Sequence, residues 1–173
     1  MIKLIDILNE IGDSSAQKYD WRFKSKYDTS DTINLDYEFK TDSDTQYFVK
    51  LTIAESFVTP SAFEMTVSFG VGKSVVKKAF GDKKPFAQVV NKGEVFRVMA
   101  TVTDIVKDGI GKMAQDNYPV KVILFVPEKE KETASGFKTT DQRAKLYMAY
   151  IKQNMDMVDN VKQKGSTIEV ILK

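Results

Sequence analysis

Few residues in this sequence have both the type and the spacing for chemistry. Asp104 and Asp108 stand at i and i+4, a separation that presents two carboxylates on one side of a helix for a metal ion or for acid–base work. A commoner use of that spacing is an exposed helix face of mixed charge, with Lys107 and Lys112 beside the pair. Arg143, Tyr147 and Tyr150 fall within two helical turns, and a tyrosine of lowered pKa serves as a general acid. Their bland reading is two half-buried tyrosines with wet hydroxyls. The chain has no His and no Cys, which removes the commonest general base, the middle member of a Ser-His-Asp triad, thiol nucleophiles, zinc ribbons and disulfides. Carboxylates, Lys, Tyr and backbone donors remain, so no catalytic residue, no metal ligand and no cofactor is assigned from the residues themselves.

The other chemical candidate is an anion surface. Lys73, Lys77, Lys78, Lys83, Lys84 and Lys92 face a single acid, Asp82, over residues 73–92. Lysines contact phosphates as point charges, and Phe80 and Phe86 could stack on bases, so nucleic acid is a possible partner. The stretch lacks Arg, the better bidentate reader of phosphate, which favours a solvated loop. Charge is also uneven along the chain: residues 1–55 carry 7 basic and 11 acidic side chains, residues 56–124 carry 10 and 6. Gly70-Val71-Gly72-Lys73-Ser74 has the residue types of a phosphate loop, but the first glycine of that motif would fall on Val67, and a bulged strand or hairpin explains the string.

The elements that would position these residues read clearly. Residues 2–11 space Ile2, Leu8 and Ile11 as a short amphipathic helix rather than a signal peptide, with Gly12 as its stop. Residues 18–28 alternate Tyr19, Trp21 and Phe23, which predicts a half-buried strand with Trp21 facing the core. Residues 32–41 alternate Ile33, Leu35, Tyr37 and Phe39; residues 46–54 alternate Tyr47, Val49, Leu51 and Ile53. A fourth strand carries Phe63, Met65, Val67 and Phe69, which completes an antiparallel meander with one apolar face over residues 18–70.

Asn91 and Glu94 form a capping box for a helix to about residue 116. Its stripe is Val95, Val98, Met99, Val102, Ile105, Val106, Ile110 and Met113, with Gly109 and Gly111 expected to fray or bend the last turn. Residues 120–126 read as a strand buried on both faces and interior to the sheet. Thr139 and Gln142 cap a second helix with Ala144, Tyr147, Met148, Ile151 and Met155 inward, and Thr167–Leu172 is the last strand. At 173 residues with 42% hydrophobic and 29% charged content, this is one α+β domain, 1–173, whose mixed sheet is covered by helices. No apolar run reaches the length of a membrane span.

The order of four antiparallel strands, helix, strand, helix, strand resembles the core of the GCN5-related acetyltransferases, and Arg143-Ala144-Lys145-Leu146-Tyr147 is similar to that family's penultimate helix. The resemblance implies the topology of residues 18–173 and, as one alternative, an acetyltransferase-like enzyme or a degenerate coenzyme A-binding protein. The family's glycine-rich pyrophosphate turn has no counterpart, since Phe86–Gly93 offers one glycine. The Val-rich helix Val95–Ile110 and the helix Arg143–Tyr147 also resemble small proteins of bacteriophages and large DNA viruses. That likeness implies a virion or host-cytoplasmic location. The leading expectation is a non-catalytic phage-encoded protein, a virion structural component or accessory protein, working through protein partners or self-assembly, with neither membrane nor metal. Nucleic-acid binding through residues 73–92 is the remaining alternative.

Overall fold

The computed structural model describes residues 17–57, 59–71, 92–125, 139–165 and 167–173. Its elements are β1 (Trp21–Asp28), β2 (Ile33–Lys40), β3 (Gln46–Glu55), β4 (Phe63–Val71), α1 (Lys92–Gln115), β5 (Val120–Phe125), α2 (Thr139–Asn154), β6 (Val158–Lys164) and β7 (Thr167–Leu172). The fold is α+β: seven strands form one mixed sheet in the order β1-β2-β3-β4-β5-β7-β6. Only β4 and β5 are parallel; every other neighbouring pair is antiparallel.

Alternation in the sequence becomes rows across the sheet. Ile33 is opposite Ile53, Ile53 opposite Met65, Met65 opposite Ile123, Ile123 opposite Val170 and Val170 opposite Val161. A second row joins Leu35, Leu51, Val67, Phe125 and Ile168. Both rows are buried at their centres beneath Val98, Val102, Ile105, Val106 and Met113 of α1 and Ile151 of α2. The opposite face mixes Asp36, Glu38, Lys50, Thr52 and Glu64 with half-buried Phe48, Val122, Leu124 and Ile171, and the buried Asn34 amide on it is satisfied: Asn34 donates to Thr32 Oγ1 at 3.0 Å and accepts from Thr52 Oγ1 at 3.1 Å, which pins β2 against β3.

Several expectations need correction. The first strand begins at Trp21 rather than at residue 18; Trp21 is half-buried and packs on the core as expected, whereas Phe23 is 37% exposed and a bulge between Phe23 and Ser25 breaks the alternation beyond it. Tyr19, just before the strand, is the buried aromatic here. β5 is interior to the sheet but not buried on both faces, because Lys121 is exposed and Val122 and Leu124 are half-buried. An unforeseen strand, β6, forms the outer half of a hairpin with β7 around Gly165, whose φ of +62° suits glycine. The expected helix over 2–11, the N-cap residue Asn91 and the side chains of Glu94, Thr139 and Gln142 lie outside the described residues.

Nor does α1 fray at its glycines. It runs unbroken to Gln115 and is stopped by Asn117 in the left-handed region (φ +65°), with the amide of Tyr118 donating to the carbonyl of Met113 at 2.8 Å. Gly109 is buried where the helix lies closest to the sheet: a Cβ there would collide with Leu51 Cδ1 and stand 3.4 Å from Met65 Cε and 3.6 Å from Leu35 Cδ1. Gly111 has nothing within 4 Å of an added Cβ. The two glycines therefore predict opposite outcomes. Gly109→Ala loses about 1–3 kcal/mol through overpacking. Gly111→Ala gains up to about 1 kcal/mol from helix propensity. Urea denaturation of both variants checks this, and equal shifts would remove the close-approach explanation.

Candidate functional site

α1 carries three stripes. The apolar one meets the sheet. A second, of Arg97, Thr101, Asp104 and Asp108, repeats at helical spacing and faces the first two strands. Trp21 Nε1 and Lys18 Nζ both donate to Asp104 Oδ2 at 2.7 Å. Tyr37 OH donates to Asp108 Oδ2 at 2.8 Å, and Lys112 Nζ donates to both Asp108 oxygens at 2.7 and 2.9 Å. The carboxylate pair singled out by spacing is thus neither a metal site nor an idle exposed face. Through Asp104 Oδ2 and Asp108 Oδ2 the pair holds the helix to β1 and β2. Among the described residues no group of three Asp or Glu side chains is placed to hold a metal ion.

The same stripe continues upward and downward. Tyr19 N donates to Thr101 Oγ1 at 2.9 Å, and Arg97 Nε donates to the carbonyl of Gln17 at 2.8 Å. The Arg97 guanidinium also pairs with Asp42 and stands 4.0 Å from the Tyr19 ring centroid. Tyr19 stacks on Phe39 at 6.0 Å, and Phe39 on Tyr47 at 5.0 Å. At the far end Lys26 pairs with Asp116 at 2.7 Å.

The third stripe faces α2 and lies above the end of β4. Met99 and Tyr150 are buried together, with Phe69, Phe96, Ala100 and Tyr147 packed around them. Thr103, one turn below Met99, is buried, and its Oγ1 has no hydrogen-bond partner among the described residues. One further turn down, Lys107 Nζ donates to the carbonyl of Asn154 at 3.0 Å. Tyr150 is more buried than a wet-hydroxyl reading expects, and that burial raises its pKa, so the phenol stays protonated and able to donate. The orphan Thr103 hydroxyl was not legible in sequence, because burial on the α2 side depends on where the second helix lands.

Among the described residues, the pairing of β4 with β5 covers Phe63 to Val67, and Ser68, Phe69, Gly70 and Val71 pair with β3 only. The glycine string of the sequence is therefore, at Gly70 and Val71, ordinary strand. Because β4 and β5 are parallel, α1 crosses back between them and starts at the end where β4 finishes. Ser68–Val71, the start of α1 and the aromatic cluster around Phe69 and Tyr147 thus gather at one end of the sheet. Lys73, Lys77, Lys78, Lys83 and Lys84, the side chain of Lys92 and the side chain of Arg143 lie outside the described residues. Among the described residues no helix is long and apolar enough to cross a membrane.

Asp104 gives the acid behaviour of the helix seam. Burial pushes its pKa up, but the hydrogen bonds from Lys18 and Trp21 and the charges of Lys18 and Lys107 outweigh that and hold it below the ordinary 3.8. A depressed carboxylate stabilises the fold above its unfolded pKa, and that contribution is lost as pH falls through the lower folded value. Asp104→Asn should therefore cost about 1 kcal/mol at neutral pH and flatten the loss of stability below about pH 4. Fluorescence of Trp21, the sole tryptophan, reads the same titration. A variant that titrates like the parent would move the acid sensitivity elsewhere.

Comparison with protein-family models finds no match for this chain, and comparison with curated proteins finds no similar sequence.

Proposed function

We propose that this protein binds an extended, anionic, amide-bearing ligand of the coenzyme A type at the end of the sheet formed by Ser68–Val71 of β4. The observation that carries the reading is the flank of Ser68–Val71, which has β3 on one side and, among the described residues, no strand on the other. Extended backbone whose second flank carries no strand among the described residues can pair with the amides of a linear ligand as it would with another strand. A helix start beside it favours the ligand's phosphates, since first-turn amides and the helix dipole both attract negative charge. The chain joining β4 to α1 contributes Lys73, Lys77, Lys78, Lys83 and Lys84 in sequence. A topological switch in a sheet with parallel strands is a common place for such a ligand. The acetyltransferase-like order of elements supports the same choice.

Tyr150 and Thr103 give the site its second half. A buried neutral phenol and a buried hydroxyl without a partner among the described residues are groups that a carbonyl or thiol-bearing ligand end could satisfy. Calorimetric titration with coenzyme A and acetyl-coenzyme A tests the reading. Saturable binding is expected, weakened about tenfold, or about 1.4 kcal/mol, when Lys77 and Lys78 are both replaced by Ala. Thr103→Val removes an orphan donor and should leave stability equal or higher while weakening the ligand. Absence of binding at millimolar ligand overturns the proposal. Because the chain contains no Cys, a thiol reagent reports coenzyme release against no protein background, separating an acyl-transfer enzyme from a binding protein.

A second reading, action through protein contacts as a virion or accessory component of bacteriophage type, is favoured by Phe23, Tyr27 and Phe57. These large apolar side chains are 37%, 39% and 102% exposed. Light scattering on the titrated samples distinguishes it: a stable oligomer indifferent to coenzyme A supports assembly, and binding of short DNA that collapses with salt supports the nucleic-acid alternative.

A further inference from the structure

Independently of either function, we infer that β1, together with the strap Gln17–Asp20 before it, is an exchangeable strand whose second acceptor is the β2 edge and α1 stripe of another copy of this chain. Burial sets β1 apart. Six of its eight residues are exposed and the other two are half-buried, whereas β2 and β3 each bury four residues. Among the described residues it is hydrogen-bonded on one side only, and a bulge interrupts even that ladder.

The segment is held to α1 by polar contacts at nearly every step. From its N-terminal end these contacts are Arg97 to the Gln17 carbonyl, Lys18 and Trp21 to Asp104, Tyr19 N to Thr101, and Lys26 to Asp116. Its apolar anchors are few: Tyr19, buried and stacked on Phe39, and the partly exposed rings of Trp21 and Phe23, edge-on against Tyr37. Screened ion pairs weaken with salt and apolar contacts do not, so salt acts on this strand before it acts on the rest of the sheet.

Release also has a short hinge. The turn between β1 and β2 is closed by the amide of Thr29 donating to the carbonyl of Thr32 at 2.8 Å and by the paired Thr29 and Thr32 hydroxyls. Opening it straightens the chain at the loss of few bonds. The acceptor left behind is selective. It requires a carbonyl for Arg97, an ammonium and an indole N–H for Asp104, an amide for Thr101 and an ammonium for Asp116, in one order along an extended chain. A second copy supplies that order with the same geometry, so a two-fold pair exchanging β1 repeats every contact of the monomer and differs only at the hinge. Identical contacts in both forms mean that salt speeds the exchange while protein concentration sets its extent.

Two measurements test this. Hydrogen exchange on the monomer should show β1 amides opening at least tenfold faster than those of β3, with the gap widening as salt rises; equal protection of the two strands overturns the inference. In the second, Arg22 and Glu38, register partners across β1 and β2, are replaced as Arg22→Cys and Glu38→Cys to lock the strand by a disulfide. Parent and reduced variant, held at millimolar concentration in high salt and then diluted, should yield a dimer by size-exclusion light scattering, and the oxidised variant none. No dimer from the parent, or as much dimer from the oxidised form, overturns the inference. Should the double variant fail to fold, the exchange measurement on the parent still decides.

Discussion

Everything in this molecule is arranged around one helix that has three different faces to satisfy. α1 lays Val98, Val102, Ile105, Val106 and Met113 on the sheet, turns Arg97, Thr101, Asp104 and Asp108 toward β1 and β2, and offers Met99 and Thr103 to α2. Such an arrangement works only if the helix sits close and straight. Gly109 allows the first condition, because no side chain intervenes between the helix backbone and Leu51. The second follows from commensurate lengths. From Arg97 to Asp116 the helix rises about 29 Å, and the extended chain from Gln17 to Lys26 covers about 30 Å. Helix and strand run in the same direction, so contacts made at Gln17 remain in step down to Lys26.

A single parallel pair in an otherwise antiparallel sheet has its own consequence. An antiparallel neighbour returns through a tight turn and covers the whole strand, as β3 does for β4. A parallel neighbour arrives by way of a crossover helix and is free to stop early. Among the described residues the pairing with β5 reaches only Val67, so the last four residues of β4 have one strand partner there. Neither outer edge offers a comparable opening: β1 and β6 each have an irregular register and carry several charged side chains, the usual guard against strand addition.

The parts of this structure that were legible from sequence are those governed by burial of one face. β2, β3, β4 and β7 alternate apolar and polar residues because the helices cover one side, and α1 shows its apolar stripe for the same reason. β6 escaped because Val158-Asp159-Asn160-Val161-Lys162-Gln163-Lys164 buries only Val161 and has no alternation to read. Asp104 and Asp108 were legible as a pair but not in role. Their spacing puts them on one side of a helix, and only the tertiary structure shows which neighbours lie on that side. Gly109 misled for a related reason: helix propensity counts the cost of a missing Cβ and is blind to a core that has no room for one. The candidate carboxylate pair thus dissolved into architecture, while the orphan hydroxyl of Thr103, with no motif to announce it, emerged from packing alone.

Division of α1 into faces also divides the kinds of energy that hold the fold. Apolar contact with the sheet is insensitive to salt and pH, and it unites β2 to β5, β7 and both helices in one core. The β1 seam depends on charge and so on salt, and through Asp104 on pH as well. Tyr37 joins the two: its ring is buried in the core, and its hydroxyl, whose pKa is raised by that burial and by its hydrogen bond to Asp108, ends in the seam. A neutral, fully buried ring thereby carries one of the seam's hydrogen bonds without titrating in any ordinary range. The helix can lose its charged contacts to β1 one by one while Tyr37 and the apolar stripe keep it on β2.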